Sequence, residues 1–301
     1  MIRVLSLVPF RFWRPLWRWD FANFYKGERS VSKQQFGLIG EKISYSISPQ
    51  IHRLIFEAMQ IPAEYTLMPV SRDQLSQMKS RLASLRGVNV TIPYKRVLME
   101  LCDELSEEAR KIGAVNTILN ENGKLTGFNT DYFGFAKMVK QVGFGPNCPP
   151  RKCTILGSGG ASLAVIRYFQ DIGTPEIRVI SRTPEQVDIP GIQALSYDSL
   201  LQLDGEILIN ATPVGTSPNV SDCPVSESVI ERYEAALDLI YNPNPTAFLK
   251  TAQQAGLRTC SGLIMLVGQA VKSEEIWHNI CVPDSVSEQI YRQMQQLLEE
   301  K

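Results

Sequence analysis

The most constraining feature of this 301-residue sequence is an apolar run that leads directly into a glycine-rich turn. The run CTILG (153–157) is typical of a buried strand, and Gly157, Gly159 and Ser162 follow it in the spacing G-x-G-x-x-small. The first glycine allows a tight turn, the second lets a pyrophosphate approach the backbone, and a small third residue lets the next helix pack closely. Because an apolar helix and another strand follow, the segment predicts a dinucleotide-binding unit.

The end of that next strand indicates which dinucleotide is bound. A site for NAD would place Asp or Glu about 20 residues beyond the glycines, where the carboxylate binds the ribose hydroxyls. This sequence instead has Ser181, Arg182 and Thr183. An arginine between two hydroxyls suits a 2′-phosphate, whereas the alternative is that Arg182 is only a solvated charge at a strand end. The pattern favours NADP.

Strand-like and helix-like stretches alternate on both sides of this unit, which is typical of α/β proteins. Strands are predicted at 35–40, 65–70, 87–92, 153–157, 177–181, 206–210 and 235–240. A hairpin is predicted within 111–131, because Asn122-Gly123 separates two short apolar runs. We expect a mainly parallel substrate-binding and catalytic domain over 35–134 and a Rossmann-like NADP-binding domain over 150–265, with helices at about 270–301 packed back on the first domain.

Composition argues against several other classes of function. Basic and acidic residues balance at 31 each, so the chain has no electrostatic footprint for nucleic acid. No stretch approaches the ~20 apolar residues of a membrane helix. Six scattered cysteines and two histidines have no metal-ligand spacing, so we expect no metal site. We expect reduced cysteines and a cytoplasmic location rather than disulfides.

Residues 1–34 differ in texture from the rest of the chain. They hold three of the four tryptophans, and four arginines precede the first acid, Asp20. Arg11, Arg14 and Pro15 interrupt any signal-peptide core. The segment is either an organelle transit peptide, a membrane-surface anchor, or a linker-like or poorly ordered stretch, and we favour the last interpretation.

Three segments of the first predicted domain carry polar residues suited to a small-molecule site. A Ser-Ile-Ser-Pro run opens a helix, so Ser48 is a predicted N-cap, yet Ser46 and Ser48 beside a helix N-terminus also suit a carboxylate. The run NVTIPYK places Thr91 and Lys95 at the carboxyl edge of the sheet, where open α/β sheets bind ligands. Asp131 begins the helix that leads to the second domain. Taken singly, each has a structural explanation as a cap or a solvated charge.

Together with five further segments, these runs resemble the shikimate dehydrogenase family. The family's pattern is S-x-S-P, N-V-T-x-P-x-K, G-A-V-N-T, N-T-D, G-x-G-G-A, N-A-T-P/S-x-G, Y-x-P and G-x-x-M-x-x-x-Q, and all eight occur here in that order. The runs NTDY and SG-x-x-M-x-x-GQA further resemble the dehydrogenase half of fused 3-dehydroquinate dehydratase/shikimate dehydrogenase enzymes. The alternative is drift within a stand-alone enzyme.

The resemblance implies an NADP-dependent enzyme that reduces 3-dehydroshikimate to shikimate, on the route to chorismate and aromatic amino acids. It implies that Lys95 and Asp131 are catalytic. The substrate contacts that it implies are Ser46, Ser48, Thr91, Asn116, Tyr241 and Gln269. The cofactor contacts that it implies are Gly157, Ser158, Gly159, Gly160, Ala161, Ser181, Arg182, Thr183, Leu239 and Gly262.

The implied catalytic pair fits the chemistry of ketone reduction. Hydride delivery builds negative charge on the ketone oxygen, which an ammonium group can stabilise and protonate. A carboxylate beside Lys95 would keep the lysine charged and oriented. Such an enzyme needs only a small-molecule substrate, and we expect a monomer or homodimer. The alternatives are a quinate/shikimate dehydrogenase that uses NAD, and a non-catalytic nucleotide or metabolite sensor.

Three features depart from the common pattern of this family. Tyr132 follows Asp131 where glycine is usual, and Tyr45 replaces a usual histidine. The run PEQVDIPG (184–191) leaves almost no room for the usual crossover helix, because it holds two prolines and a glycine. This shortening leaves open how firmly Arg182 and Thr183 are held, and therefore how tightly NADP binds.

Overall fold

The structure is a computed structural model that describes residues 33–300. The interpretations offered for the N-terminal segment fall on residues 1–32 and lie outside the described residues. Within the described range the chain forms two six-stranded sheets with helices packed on them.

The first sheet has the strand order β2-β1-β3-β5-β6-β4. Its strands are β1 Gln34–Gly40, β2 Ala63–Pro69, β3 Gly87–Val90, β4 Glu104–Leu105, β5 Thr117–Glu121 and β6 Lys124–Phe128. Its helices are α1 Ser48–Met59, α2 Met78–Leu82, α3 Glu107–Ile112 and α4 Asp131–Gln141, with short 3₁₀ turns at Arg72–Gln77 and Leu98–Leu101. β1 runs parallel to β2 and β3, whereas β3, β5 and β6 are antiparallel neighbours.

The predicted hairpin is the reason why this sheet is mixed rather than uniformly parallel. β5 and β6 are joined at Asn122 and Gly123, which have φ values of 56° and 92°. Positive φ at both central residues is the geometry of the type I′ turn that Asn-Gly favours. The hairpin brings the end of β6 beside the start of β5, and therefore Asp131 close to Asn116.

The second sheet is parallel throughout, with the order β12-β11-β10-β7-β8-β9. Its strands are β7 Lys152–Leu156, β8 Glu176–Ile180, β9 Gln193–Leu195, β10 Gly205–Asn210, β11 Tyr233–Asp238 and β12 Arg258–Ser261. Its helices are α5 Gly160–Asp171, α6 Glu227–Ile230 and α7 Ala247–Gln254, with a 3₁₀ turn at Tyr197–Gln202. This order is that of a doubly wound sheet, in which ligands bind where the winding reverses, between β7 and β10.

The crossover from β8 to β9 has no α-helix, as the prolines predict. A single 3₁₀ turn at Pro184–Gln186 is followed by an irregular stretch whose apolar side chains Val187, Ile189 and Ile192 pack against the core. The side chain of Gln170 on α5 donates to Pro190 O at 2.9 Å. The shortened crossover is therefore anchored by packing rather than by helical hydrogen bonds.

Two C-terminal helices, α8 Gly262–His278 and α9 Asp284–Glu299, complete the described chain. α8 packs on α1 and α4, and its fully buried Trp277 donates from Nε1 to Ile118 O at 3.0 Å. α9 packs on α1 and α8. In residues 33–300 no helix is both long and apolar enough to cross a membrane. The division into domains at 35–134 and 150–265 remains a prediction.

Candidate active site

A cavity of about 170 Å³ lies beyond the carboxyl ends of β1 and β3. Its walls come from the loop after β1, the start of α1, the loop after β3, and α8. The predicted substrate-site residues that line it are Ser46, Ser48, Thr91, Lys95, Asn116, Tyr241 and Gln269. The fold therefore brings to one cavity side chains that are more than 200 residues apart in the sequence.

The two serines lie at the N-terminus of α1, one position away from the predicted arrangement. The N-cap is Ile47 rather than Ser48, and it has no capping side chain. Ser46 takes over that task, because its Oγ accepts from the Ser48 backbone N–H at 3.3 Å and donates to Ser48 Oγ at 3.1 Å. The prediction of a Ser48 cap was wrong by one residue, since Pro49 is tolerated anywhere in the first helical turn. Both hydroxyls still line the cavity.

Lys95, which lines the cavity, forms an ion pair with the buried Asp131, which is not among the residues that line it. Lys95 Nζ lies 2.6 Å from Asp131 Oδ2, and their side chains are 19% and 5% exposed. The lysine lies on the loop after β3, which Val115 holds by donating its backbone N–H to Lys95 O at 2.9 Å. Asp131 is the first residue of α4. Residues from two separate stretches thus converge, and the remaining ammonium protons are free to face a ligand.

Asn116 holds the second oxygen of that carboxylate. Its Nδ2 donates to Asp131 Oδ1 at 2.9 Å and to Gln269 Oε1 at 3.0 Å. Its Oδ1 accepts from the backbone N–H of Thr130 at 2.6 Å and from the hydroxyl of Thr117 at 3.1 Å. A buried amide held by several hydrogen bonds is rigid. Asn116 therefore fixes the positions of Asp131 and Gln269 relative to each other.

Of the eight cavity-lining residues that sequence reasoning did not assign to the site, three have polar side chains: Tyr45, His52 and Asn89. The buried amide of Asn89 accepts from Tyr65 Oη at 2.8 Å and donates to Ser273 Oγ at 2.9 Å. A signal for Asn89 existed, because it is the one polar residue in the short apolar strand β3. His52 had no such signal, because the buried partner that engages it comes from α8.

A second cavity, of about 960 Å³, lies at the carboxyl ends of β7, β8 and β10. The predicted cofactor residues that line it are Gly157, Ser158, Gly159, Ser181, Arg182 and Thr183. The lining residues that were not predicted are Ile180, Tyr197, Ala211, Thr212, Pro213, Val214, Cys223 and Pro224. Its position is the one that a doubly wound sheet offers to a dinucleotide.

The glycine-rich turn has the geometry of a phosphate-binding loop. Gly157 has φ of 99°, and a Cβ there would lie 3.0 Å from Thr212 Cγ2, so glycine is required. A Cβ at Gly159 or Gly160 would meet nothing within 4 Å, which leaves space beside the backbone. Ser162 Oγ donates to Gly157 O at 2.8 Å and ties the turn to α5. No side chain caps α5, so its first N–H groups are available to an anion.

The end of β8 is tied to this loop by hydroxyl groups. The Oγ atoms of Ser158 and Ser181 are 3.2 Å apart, and Ser181 Oγ also accepts from the Thr183 backbone N–H at 3.1 Å. Arg182 is exposed on the cavity wall. Burial raises the pKa of Tyr197, and the Arg182 charge partly offsets this rise. Both residues line the cavity.

Four predicted cofactor residues are not among those that line this cavity. Gly160 and Ala161 form the first turn of α5, immediately after the loop. Leu239 and Gly262 lie together elsewhere, at the carboxyl ends of β11 and β12. A Cβ at Gly262 would overlap the Leu239 carbonyl group, so glycine is needed for α8 to start against the end of β11. Their roles toward a cofactor remain predictions.

Asp238 is a buried carboxyl at the end of β11. It accepts from Asn210 Nδ2, the Ile240 backbone N–H and Thr246 Oγ1 at 2.7 to 3.0 Å. Burial raises its pKa from 3.8 to about 6, against the opposing effect of these hydrogen bonds. Asp238 thus joins three chain segments at the edge of the sheet where the cofactor cavity opens.

The raised pKa of Asp238 predicts a pH dependence of stability. Because the folded state holds this proton more tightly than the unfolded chain, the contribution is fully present below pH of about 4 and is lost as the pH rises through about 6. The unfolding free energy of Asp238→Asn minus that of the unaltered protein should therefore be more positive at pH 8 than at pH 4.5, by about 2 kcal/mol. Urea denaturation of both proteins at each pH measures it. A difference between the two proteins that does not change with pH would contradict the raised pKa of Asp238.

Fold and site together define an oxidoreductase of the nicotinamide dinucleotide class, in which a lysine that lines a polar cavity pairs with a buried carboxylate. The model of the shikimate dehydrogenase substrate binding domain matches residues 38–118. A shikimate dehydrogenase (NADP(+)) from Clostridium perfringens is 43% identical over 267 residues, which cover 86% of this chain and 97% of that protein. The chain belongs to the shikimate dehydrogenase family.

Solved structures agree with this assignment. A chorismate mutase/shikimate 5-dehydrogenase fusion protein from Clostridium acetobutylicum matches with a TM-score of 0.84 and 39% identity, over 89% of this chain and 100% of that one. A shikimate 5-dehydrogenase from Thermus thermophilus, in complex with NADP(H) and shikimate, matches with a TM-score of 0.78 and 31% identity, over 86% and 99%. The predicted family and fold class are confirmed. The finer resemblance to dehydratase fusions stays a prediction.

Proposed function

We propose that this protein catalyses the NADPH-dependent reduction of 3-dehydroshikimate to shikimate. The observation that carries the proposal is the contact of 2.6 Å between Lys95 Nζ and Asp131 Oδ2 beside a hydroxyl-lined cavity, in a chain of the shikimate dehydrogenase family. When bound, NADPH supplies the hydride. A charged amine at the reacting ketone then stabilises and protonates the oxygen.

Each of the predicted catalytic and substrate-binding residues has a role in this proposal that follows from its chemistry. Lys95 donates the proton, and Asp131 orients the ammonium group. Ser46 and Ser48 bind the substrate carboxylate, because their hydroxyls lie at the positive end of α1. The remaining residues that we propose to bind the ring hydroxyls are Thr91, Asn116, Tyr241 and Gln269.

The second cavity is the proposed NADP site. The backbone of the loop 157–161 and the N-terminus of α5 would bind the pyrophosphate. Ser181, Arg182 and Thr183 would bind the 2′-phosphate, because a guanidinium group and hydroxyls satisfy its oxygens. Leu239 and Gly262 would also contact the cofactor. The uncapped α5 and the open space beside Gly159 support this assignment.

An activity matrix tests the proposal. The protein is incubated with 3-dehydroshikimate or 3-dehydroquinate and with NADPH or NADH, and the absorbance of the reduced nicotinamide is followed. We expect fast turnover only with 3-dehydroshikimate and NADPH. Preferred turnover of 3-dehydroquinate with NADH would favour the quinate dehydrogenase alternative. Tight binding of NADPH without turnover on either substrate would favour a sensor.

Arg182→Ala is expected to raise the KM for NADPH by about tenfold, because one charge-assisted contact to the 2′-phosphate is lost. The KM for NADH should change little, since NADH has no 2′-phosphate. Initial rates with each cofactor measure both values. Arg151→Ala is the matched control, since this exposed arginine precedes β7 at the opposite edge of the same sheet. Equal changes for both cofactors would remove Arg182 from phosphate recognition.

We further propose that the protein works in the cytoplasm as a monomer or homodimer, without nucleic acid or membrane partners. All six cysteines lie in the described residues and are free, which suits a reducing compartment. Sedimentation analysis of the pure protein measures its oligomeric state. A larger assembly would contradict this part of the proposal.

A further inference from the structure

Both histidines of the chain contact one buried carboxylate outside the proposed catalytic pair. His52 Nδ1 lies 2.5 Å from Glu274 Oε1, and the two side chains are 1% and 0% exposed. His278 Nε2 lies 3.0 Å from Glu274 Oε2 on the same helix, although their orientation does not make a hydrogen bond. The hydrogen bond that engages Glu274 is therefore the one to His52.

This pair joins two helices that both contribute residues to the lining of the substrate cavity. His52 lies on α1, one turn after Ser48, and itself lines the cavity. Glu274 lies on α8, a little more than one turn after Gln269. A change in how His52 meets Glu274 would therefore change the spacing between the Ser48 hydroxyl and the Gln269 amide.

The pair is also held from its flanks. The His52 ring stacks on Tyr65 with centroids 3.9 Å apart and planes inclined by 8°. Tyr65 Oη donates to Asn89, and Asn89 donates to Ser273, the neighbour of Glu274. The stacking and the hydrogen bonds close a ring of contacts around the pair, which leaves His52 a single orientation.

Burial of such a pair is poor evidence for a role in stability. Desolvation of an ion pair offsets most of its attraction, and apolar residues of similar volume are often as stable or more stable. Apolar packing between α1 and α8 already exists around Ile51, Ile55 and Val271. A directional contact offers what apolar packing lacks, which is a fixed orientation and spacing.

We propose that His52 and Glu274 are positioning residues that set the spacing of the substrate-binding groups on α1 and α8. This inference rests on the proposed function, since it assigns Ser48 and Gln269 to the substrate. Lys95 and Asp131 are held by other contacts, from Val115 and Asn116. The pair therefore acts on substrate binding in the ground state and the transition state alike, which changes KM and not kcat.

The decisive variant is the double replacement His52→Leu/Glu274→Met. It leaves no unpaired buried charge, so the protein is expected to fold. We expect the KM for 3-dehydroshikimate to rise about tenfold, the effect of one or two poorly placed hydrogen bonds, with kcat within about twofold of the original. Thermal unfolding, measured in parallel, should show a melting temperature equal to or above that of the unaltered protein.

Two single variants separate positioning from charge and packing. Glu274→Gln keeps an acceptor for His52 and is expected to retain a KM within about twofold of the original. His278→Asn is the matched control. His278 is the other histidine beside the Glu274 carboxylate, and it does not line the cavity. Its KM should be unchanged.

An unaltered KM in the folded double variant would overturn the inference, as would an equal rise in KM for His278→Asn. A failure of the proposed function would look different, because the unaltered protein would then not reduce 3-dehydroshikimate with NADPH at all. Activity of the unaltered protein is therefore measured first. A fall in kcat with constant KM would also contradict the inference, since it would place the pair in the chemical step.

Discussion

Lys95→Ala is expected to lower kcat by about 10²- to 10⁴-fold, the usual contribution of one general acid or base. The Lys95 ammonium group lies 2.6 Å from the Asp131 carboxylate and is only partly exposed. It lines the cavity where the ketone is expected to bind. Alanine leaves the developing oxyanion without its proton donor, and water must replace it. The KM for 3-dehydroshikimate should change much less than kcat, because the serines and Gln269 still bind the substrate. Steady-state kinetics with saturating NADPH measure both constants.

Arg96→Ala provides the control for this prediction. Arg96 is the neighbouring cation on the same loop and is exposed, so its loss alters the local charge without altering the cavity. We expect its kcat to remain within about twofold of the original, as for surface substitutions in general. If Lys95→Ala kept full activity, the lysine would have no part in the reaction. If Arg96→Ala lost as much as Lys95→Ala, general electrostatics would account for the effect.

Asp131→Asn is expected to lower kcat by about 10²-fold, because it removes one buried charge-assisted hydrogen bond and changes little else. The amide has the size of the carboxyl. Its oxygen can still accept the hydrogen bond that Asn116 donates to Asp131 Oδ1 in the unaltered protein. What disappears is the negative partner that orients the Lys95 ammonium group. The fold should survive, and the melting temperature of the variant checks this. Full activity in Asp131→Asn would show that Lys95 needs no carboxylate.

The double variant Lys95→Ala/Asp131→Asn tests whether the two residues act as a unit. Residues that share one task have effects that are far from additive. Once Lys95 is absent, Asp131 has nothing to orient, so the double variant should be about as slow as Lys95→Ala alone. If the two losses in kcat multiplied, the carboxylate would have a separate role, such as direct contact with the substrate.

Much of the second sheet and its cavity could be predicted from the sequence because their signals are local. The strand, turn and helix that form the phosphate loop are contiguous, and the positive φ at Gly157 is a property of that one residue. The absence of a helix between β8 and β9 was predicted in the same way, from the prolines in residues 184–191. The presence of Tyr197 in the cavity lining could not be predicted, since this residue reaches the cavity only after the chain has crossed from β8 to β9.

The first sheet was harder to predict in detail. Apolar runs located its strands, but they carry no information about strand order, and the hairpin added two antiparallel pairings to a sheet whose other three pairings are parallel. The position of the first cap was displaced by one residue. Boundaries of this kind depend on small differences between competing hydrogen bonds, which residue type alone does not settle.

By itself the sequence determined the family, the fold class, and the residue types at the two cavities, because these follow from backbone preferences and short motifs. Only the tertiary structure decided which side chains meet. Three features depend on packing between distant segments: the contact of Lys95 with Asp131, the hydrogen bonds of the Asn116 amide, and the pairing of His52 with Glu274 across 222 positions. The local sequence pattern does not predict such contacts, because each partner taken alone could equally be a helix cap, a surface charge or a buried aromatic side chain.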